Sequence, residues 1–237
     1  MTKRDVFFAV FSMVLVCVFT VSGCGKKEDL TLPDKEMREL SVADRSETPG
    51  EPAVSGMAGV KPGKEAEKNF YVYAEKGYFK NHYAPSGWMG DYGDLKINEG
   101  CATDPRTRRS CIKVDYSARK KQGAGWAGVY WQDPPNNWGN LPGGYDLTGS
   151  KALTFWAKGE KGGELIAEFK MGGISGEFGD STSASVGPIA LTPEWTKYTI
   201  NLENEDLSRV IGGFAFVLSE MENPEGAVFY LDEIAYE

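Results

Sequence analysis

The side chains best suited to chemistry crowd between Gly125 and Gly139, where Trp126, Tyr130, Trp131 and Trp138 stand beside Gln132, Asn136 and Asn137. Flat rings that lie against the C–H face of a sugar, with amides that bond its hydroxyls, are the chemistry this mixture points to. On an extended strand Trp126, Gly128, Tyr130 and Gln132 share one face and Ala127, Val129 and Trp131 the other, until Pro134-Pro135 ends the run. One face must be core, and the alternation does not say which. Trp131, Gln132, Asn137 and Trp138 are the residues expected to meet a ligand; the opposing reading packs the rings inside and uses the asparagines to cap turns.

Two further stretches offer polar groups in reach of such a site. In Glu168-Phe169-Lys170, the glutamate and the lysine fall on one strand face, so Lys170 is expected to bond a hydroxyl or acidic group of the ligand, unless the two only form a cross-strand ion pair. The segment from His82 to Asp91, with Tyr83, Ser86 and Trp88, reads as a long loop rich in aromatics and turn residues.

Catalysis has little to build on. The single histidine, His82, excludes multi-histidine metal centres, and neither a nucleophile elbow nor a phosphate-cradling loop is present. Paired carboxylates such as Glu168 with Asp180 stay open on spacing alone. The chain is expected to be non-catalytic.

The elements that must deliver these groups begin with an export signal over residues 1–23. Lys3 and Arg4 precede an apolar run from Val6 to Val21, which breaks at Ser22-Gly23-Cys24 and falls short of the roughly 20 residues that span a bilayer. Val21-Ser22-Gly23-Cys24 resembles the bacterial lipobox, which implies diacylation of Cys24 and anchoring at the cell envelope; Gly25 leans towards an outer membrane where the host has two. Residues 24–68 then turn to Lys, Glu, Asp, Pro, Ser and Gly, a tether too poor in apolar surface to offset the entropy of ordering. As a flexible coil of about 45 residues it spans on the order of 35 to 40 Å.

The formal charge of −8 argues against nucleic acid, because affinity for phosphate backbones rests on an excess of Lys and Arg. With Cys17 in the signal and Cys24 lipidated, Cys101 and Cys111 remain as a pair in a compartment that permits disulfides, and a bond between them is expected to staple the loop over residues 102–110.

From residue 69 onward, short runs of alternating apolar and β-branched residues punctuated by Gly, Pro, Asn and Asp predict one all-β domain spanning 69–237. Strands are expected over 69–73, 111–116, 125–132, 152–158, 164–170, 196–202, 212–219 and 227–236. The last is apolar on both faces, with Asp232 set into it. Seven or eight such strands point to a sandwich or jelly roll.

Leu153-Thr154-Phe155-Trp156-Ala157-Lys158-Gly159, then Glu194-Trp195-Thr196-Lys197-Tyr198-Thr199-Ile200, and the ending Phe229-Tyr230-Leu231-Asp232-Glu233-Ile234 resemble the galactose-binding-like β-sandwich, the jelly roll shared by several carbohydrate-binding module families. The resemblance covers residues 69–237 and implies fold more sharply than ligand. It further implies a structural calcium held by Asp232 on the last strand with first-loop oxygens, for which Glu75, Asp91 and Asp94 are the partners to consider; the alternative is that Asp232 only accepts backbone N–H bonds. A lipid-tethered carbohydrate-binding domain is thus the function expected, against a cell-envelope structural or protein-interaction domain without a sugar site. The exposure of Trp88, Trp131 and Trp138 in one groove separates the two.

Overall fold

The computed structural model describes residues 69–237, so the expected signal peptide and lipid-bearing tether lie outside the described residues. Strands β1 (Phe70–Tyr73), β3 (Leu95–Cys101), β4 (Cys111–Tyr116), β6 (Ala152–Gly159), β11 (Thr196–Asn201) and β13 (Ala227–Tyr236) form one antiparallel sheet in the order β11-β6-β13-β4-β3, with β1 pairing the last residues of β13. A second antiparallel sheet runs β2-β5-β12-β8-β9, from β2 (Ala84–Gly90), β5 (Trp126–Gln132), β12 (Gly212–Ser219), β8 (Glu168–Gly172) and β9 (Ser183–Val186). A short pair, β7 (Leu165–Ile166) with β10 (Ile189–Ala190), stands apart. The chain passes repeatedly from one sheet to the other, as in β4-β5-β6-β8 and β11-β12-β13, which is the connectivity of the jelly-roll sandwich expected.

Alternation explains which side of each strand is inside. Ala227, Phe229 and Leu231 of β13 meet Phe214 and Phe216 of β12 and Phe155 of β6 in one core, all essentially without solvent contact. Phe216 meets Phe229 edge-on at 5.1 Å between ring centroids. Burial of each such ring contributes about 1.5–3 kcal/mol, so these layers hold the two sheets together. The far face of β13 is covered as well: Tyr230 is buried against Cys101 and Cys111, with Trp195 packed on the group. A loop over residues 102–110 thus closes that side, which accounts for a strand apolar on both faces.

Cys101 and Cys111 are cross-strand partners at the ends of β3 and β4. The expected disulfide is not formed here: both are buried free thiols, the Cys111 Sγ lying 3.5 Å from the Cys101 carbonyl.

Candidate functional site

At the outer edge of the second sheet, β2 pairs only with β5, and an open depression of about 490 Å³ is lined by Ser86, Trp88, Tyr92, Asn136 and Trp138. Three of the five are aromatic and lie partly in water, Trp88 at 39%, Tyr92 at 51% and Trp138 at 43% exposure. A group of large rings left this open is costly in solvent unless something covers it. No carboxylate, ammonium or guanidinium is among the lining residues.

Each wall has a local cause. Trp88 belongs to β2, and Tyr92 opens the 3-10 turn Tyr92–Asp94 just beyond it. That turn is pinned by Asp91, whose carboxylate accepts N–H bonds from Gln122, Ala124 and Gly125 at 2.7, 3.1 and 2.6 Å. Asn136 and Trp138 come from the loop after β5. Ser86 Oγ donates to Gln132 Oε1 at 3.0 Å and accepts the Asn136 N–H at 3.0 Å, fastening the loop to β2. Trp138 meets Tyr130 edge-on at 6.1 Å, and the next residue, Gly139, has φ +83° with no room for a side chain, since a Cβ would stand 2.0 Å from the Ser175 carbonyl oxygen.

The residues expected to meet ligand are divided by this arrangement. Trp138 lines the depression. Trp131 does not: it is fully buried, its ring 5.6 Å from Phe214 and 6.1 Å from Phe216, so the face of β5 carrying Ala127, Val129 and Trp131 is the core face and the assignment of Trp131 to ligand contact is corrected. Gln132 and Asn137 are also fully buried and act on the loop. Gln132 Nε2 donates to the Asn137 carbonyl at 2.8 Å, while Asn137 Nδ2 donates to the Leu141 carbonyl and its Oδ1 accepts from Gly139 and Leu141. They shape the wall from behind. Lys170 lies on β8, separated from β2 by β5 and β12, with its ammonium 3.8 Å from Glu168; it stands apart from the depression. Tyr92 is a lining residue that the sequence reading did not single out, and Asn136 one that it named in the cluster without expecting it to meet ligand; an aromatic among turn residues in Gly90-Asp91-Tyr92-Gly93-Asp94 is the signal for the first, whereas nothing in Asn136-Asn137 tells which amide turns outward.

Of the acidic residues expected to hold calcium, Asp232, Glu75 and Asp91 are engaged separately, while Asp94 is buried with Oδ1 accepting from Ser117 Oγ at 2.9 Å and Oδ2 without a hydrogen-bond partner; no group of three or more metal-ligating side chains occurs among the described residues. Asp232 Oδ2 accepts N–H bonds from Arg106 and Thr107 at 2.9 and 3.3 Å, and Oδ1 accepts from Glu233 at 2.8 Å. Glu75 is paired with Arg109 at 3.2 Å, which holds its carboxyl below the usual range. Loss of hydration tends to raise the Asp91 carboxyl, but the N–H groups of residues 122–125 together hold it below its ordinary value. Oxygens already facing N–H donors do not suit a cation, so Asp232, Glu75 and Asp91 do not fit a calcium site in this structure. The Glu168–Asp180 pair fares similarly: Asp180 accepts from the N–H groups of Ile174, Ile211 and Gly212 at 2.8, 2.6 and 3.1 Å, ordering the loop after β8.

Asp232 carries a pH dependence of its own. Burial pushes its carboxyl up to about 6, and the N–H groups of Thr107, Glu233 and Arg106 offset this only in part. The folded chain therefore holds this proton more tightly than the unfolded one. Its contribution to stability is complete below the unfolded value near 3.8 and is lost as pH rises towards 6. The stability of the wild type relative to Asp232→Asn should fall over that window by about 2 kcal/mol, allowing for solvent screening; urea unfolding across the window measures it, and a difference independent of pH would refute it.

No protein-family model and no curated protein matches the chain. Among solved structures, a family 30 carbohydrate-binding module is similar at 12% identity and a TM-score of 0.48, covering 72% of this chain and 88% of its own. The family 11 module of a cellulosomal cellulase of Clostridium thermocellum is similar at 14% identity and a TM-score of 0.46, over 71% and 93% of the two chains. A variant of a family 29 module follows at 10% identity and a TM-score of 0.41, over 71% and 91%. With every score below 0.5, the assignment of this chain as a two-sheet jelly roll rests on its own strand pairing.

Proposed function

We propose that the domain is a non-catalytic binding module for a neutral polysaccharide, held at the bacterial cell envelope by lipid on Cys24. The observation that carries the binding half is the depression along β2, where Trp88, Tyr92 and Trp138 expose their rings beside the hydroxyl of Ser86 and the amide of Asn136. Rings offer stacking surface, the hydroxyl and amide orient it, and the lining holds no ionised group to attract an acidic sugar or transfer a proton. The three rings come from three places, Trp88 on β2, Tyr92 on the turn beyond it and Trp138 on the loop after β5, and share one open depression of about 490 Å³. Affinity-gel electrophoresis against neutral and acidic polysaccharides tests the reading: retardation by a neutral polymer supports it, and retardation by acidic polymers alone, or by none, defeats it.

The envelope location also bears on the two cysteines. Directly opposed antiparallel residues lie within the Cα separation a disulfide needs, and Cys101 faces Cys111 in that register. Burial pushes the Cys111 thiol up to about 12, so the reactive thiolate is scarce in the finished fold and closure belongs to the folding chain in an oxidising compartment. Exported protein unfolded in urea should resist alkylation at both cysteines until reduced, and reduction should cost about 2 to 3 kcal/mol in urea unfolding. Ready alkylation of unreduced exported protein once unfolded would contradict this.

A further inference from the structure

Tyr92 differs from the other rings of the depression in what holds it. Trp88 is carried by a strand and Trp138 leans on Tyr130, whereas Tyr92 stands half in water on a turn of three residues. Its place is therefore set by its backbone. The segment 117–125, between β4 and β5, grips that backbone from one side. Gln122 Oε1 accepts the Gly93 N–H at 2.9 Å, the Lys121 ammonium donates to the Gly93 carbonyl at 2.5 Å, and the Ser117 N–H donates to the Asp94 carbonyl at 3.0 Å.

Local preference does not give the segment this course. Ala118 and Lys120 both lie at φ +53°, in the left-handed region that side chains disfavour, and residues 119–124 are all exposed, so packing does little to fix them. What gathers the segment is Asp91. Its carboxylate is out of contact with solvent, in a nest of backbone N–H groups from residues 122–125, and its own N–H donates to the Trp126 carbonyl at 2.7 Å. Bonds from N–H groups to a carboxylate are charge-assisted, stronger than the neutral bonds that also join turn and segment. Tyr92 is the next residue along the chain, and a shift of the segment reaches its ring through Gly93, which Gln122 and Lys121 both grip.

We propose that Asp91 is a positioning residue of the polysaccharide site, holding the segment 117–125 against the turn so that the Tyr92 ring stays at the wall of the depression. This role rests on the sugar reading of the depression, and the two can fail separately. Asp91→Ala leaves the nest without its anion, and formate has the shape and charge to refill it.

Affinity-gel electrophoresis and thermal unfolding of wild type, Asp91→Ala, Tyr92→Ala and the double variant test it, with a neutral polymer that wild type retains among hydroxyethylcellulose, xyloglucan and galactomannan. Tyr92→Ala is expected to weaken binding roughly tenfold, and Asp91→Ala by up to the same factor, since it acts through that ring. In the Tyr92→Ala background, Asp91→Ala should cost little more. Sodium formate, against sodium chloride at equal ionic strength, should restore the affinity of Asp91→Ala and leave wild type and the double variant unchanged. A role in stability alone would raise the melting temperature with formate in both backgrounds and leave affinity unmoved. Asp91→Asn, which keeps an acceptor for part of the nest and is expected to fold, stands in for the comparison with Tyr92→Ala should Asp91→Ala not fold. Wild-type affinity in a folded Asp91 variant, a loss just as large when Tyr92 is absent, or a folded Asp91→Ala that formate does not restore overturns the proposal. Retention of no neutral polymer by wild type, or an unweakened Tyr92→Ala, defeats the sugar reading itself and the proposal with it.

Discussion

Trp138→Ala should weaken polysaccharide binding by about 2 kcal/mol, roughly thirtyfold, while leaving the unfolding transition close to that of the wild type. The asymmetry follows from where the ring sits. Nearly half of it is in water, its described aromatic contact is an edge-on approach to Tyr130, and the loop that carries it is held by bonds from Gln132, Asn137 and Ser86 that the substitution does not touch. What it removes is stacking surface beside Trp88 and Tyr92. Calorimetric titration with a retained polysaccharide, paired with thermal unfolding, checks both halves; a large loss of stability with unchanged affinity would assign Trp138 to the scaffold instead.

Trp131→Ala should do the reverse. The ring is enclosed between the sheets against Phe214 and Phe216, and removing it leaves a cavity bounded by strands that cannot close on it. The expected cost is about 3 to 5 kcal/mol, which for a domain of this size lowers the melting temperature on the order of 10 °C. At temperatures where the variant is still folded, affinity should stay near the wild-type value, because Trp131 does not line the depression. Two tryptophans a few residues apart thus separate binding from stability.

That separation was only half legible in the sequence. The alternation in β5 divided its residues correctly into two faces, yet both faces carry large apolar side chains and nothing local states which one the other sheet covers. Phe214 and Phe216 decide it from across the pairing of β12 with β5, a contact distant in sequence. The long, densely apolar strands were readable at their observed bounds, β4, β12 and β13 among them, since their own residues carry the pattern.

β2 was not readable, and it is the strand that bears the site. Ala84-Pro85-Ser86-Gly87-Trp88-Met89-Gly90 has the look of a loop because Pro and Gly interrupt it. An edge strand tolerates Pro85, whose missing N–H weakens no ladder on the open side. Gly87 is needed for closeness: a Cβ there would stand 2.8 Å from both Tyr130 Cβ and Gln132 Cδ. The features that hid the strand are those that let the loop after β5 pack against it. The jelly-roll resemblance anticipated the architecture, whereas the position of Asp232 on the last strand does not disclose that the loop over residues 102–110 turns its N–H groups towards the carboxylate.

The chain's six tryptophans offer the most direct test of where sugar binds, since each contributes one indole N–H signal in a nitrogen–proton correlation spectrum. Titration with a soluble oligosaccharide from a retained neutral polysaccharide should move the Trp88 and Trp138 signals together and leave buried Trp131 in place. Movement confined to Trp156 and Trp195, or no movement at all under saturating sugar, would contradict the assignment of the binding site to the depression along β2.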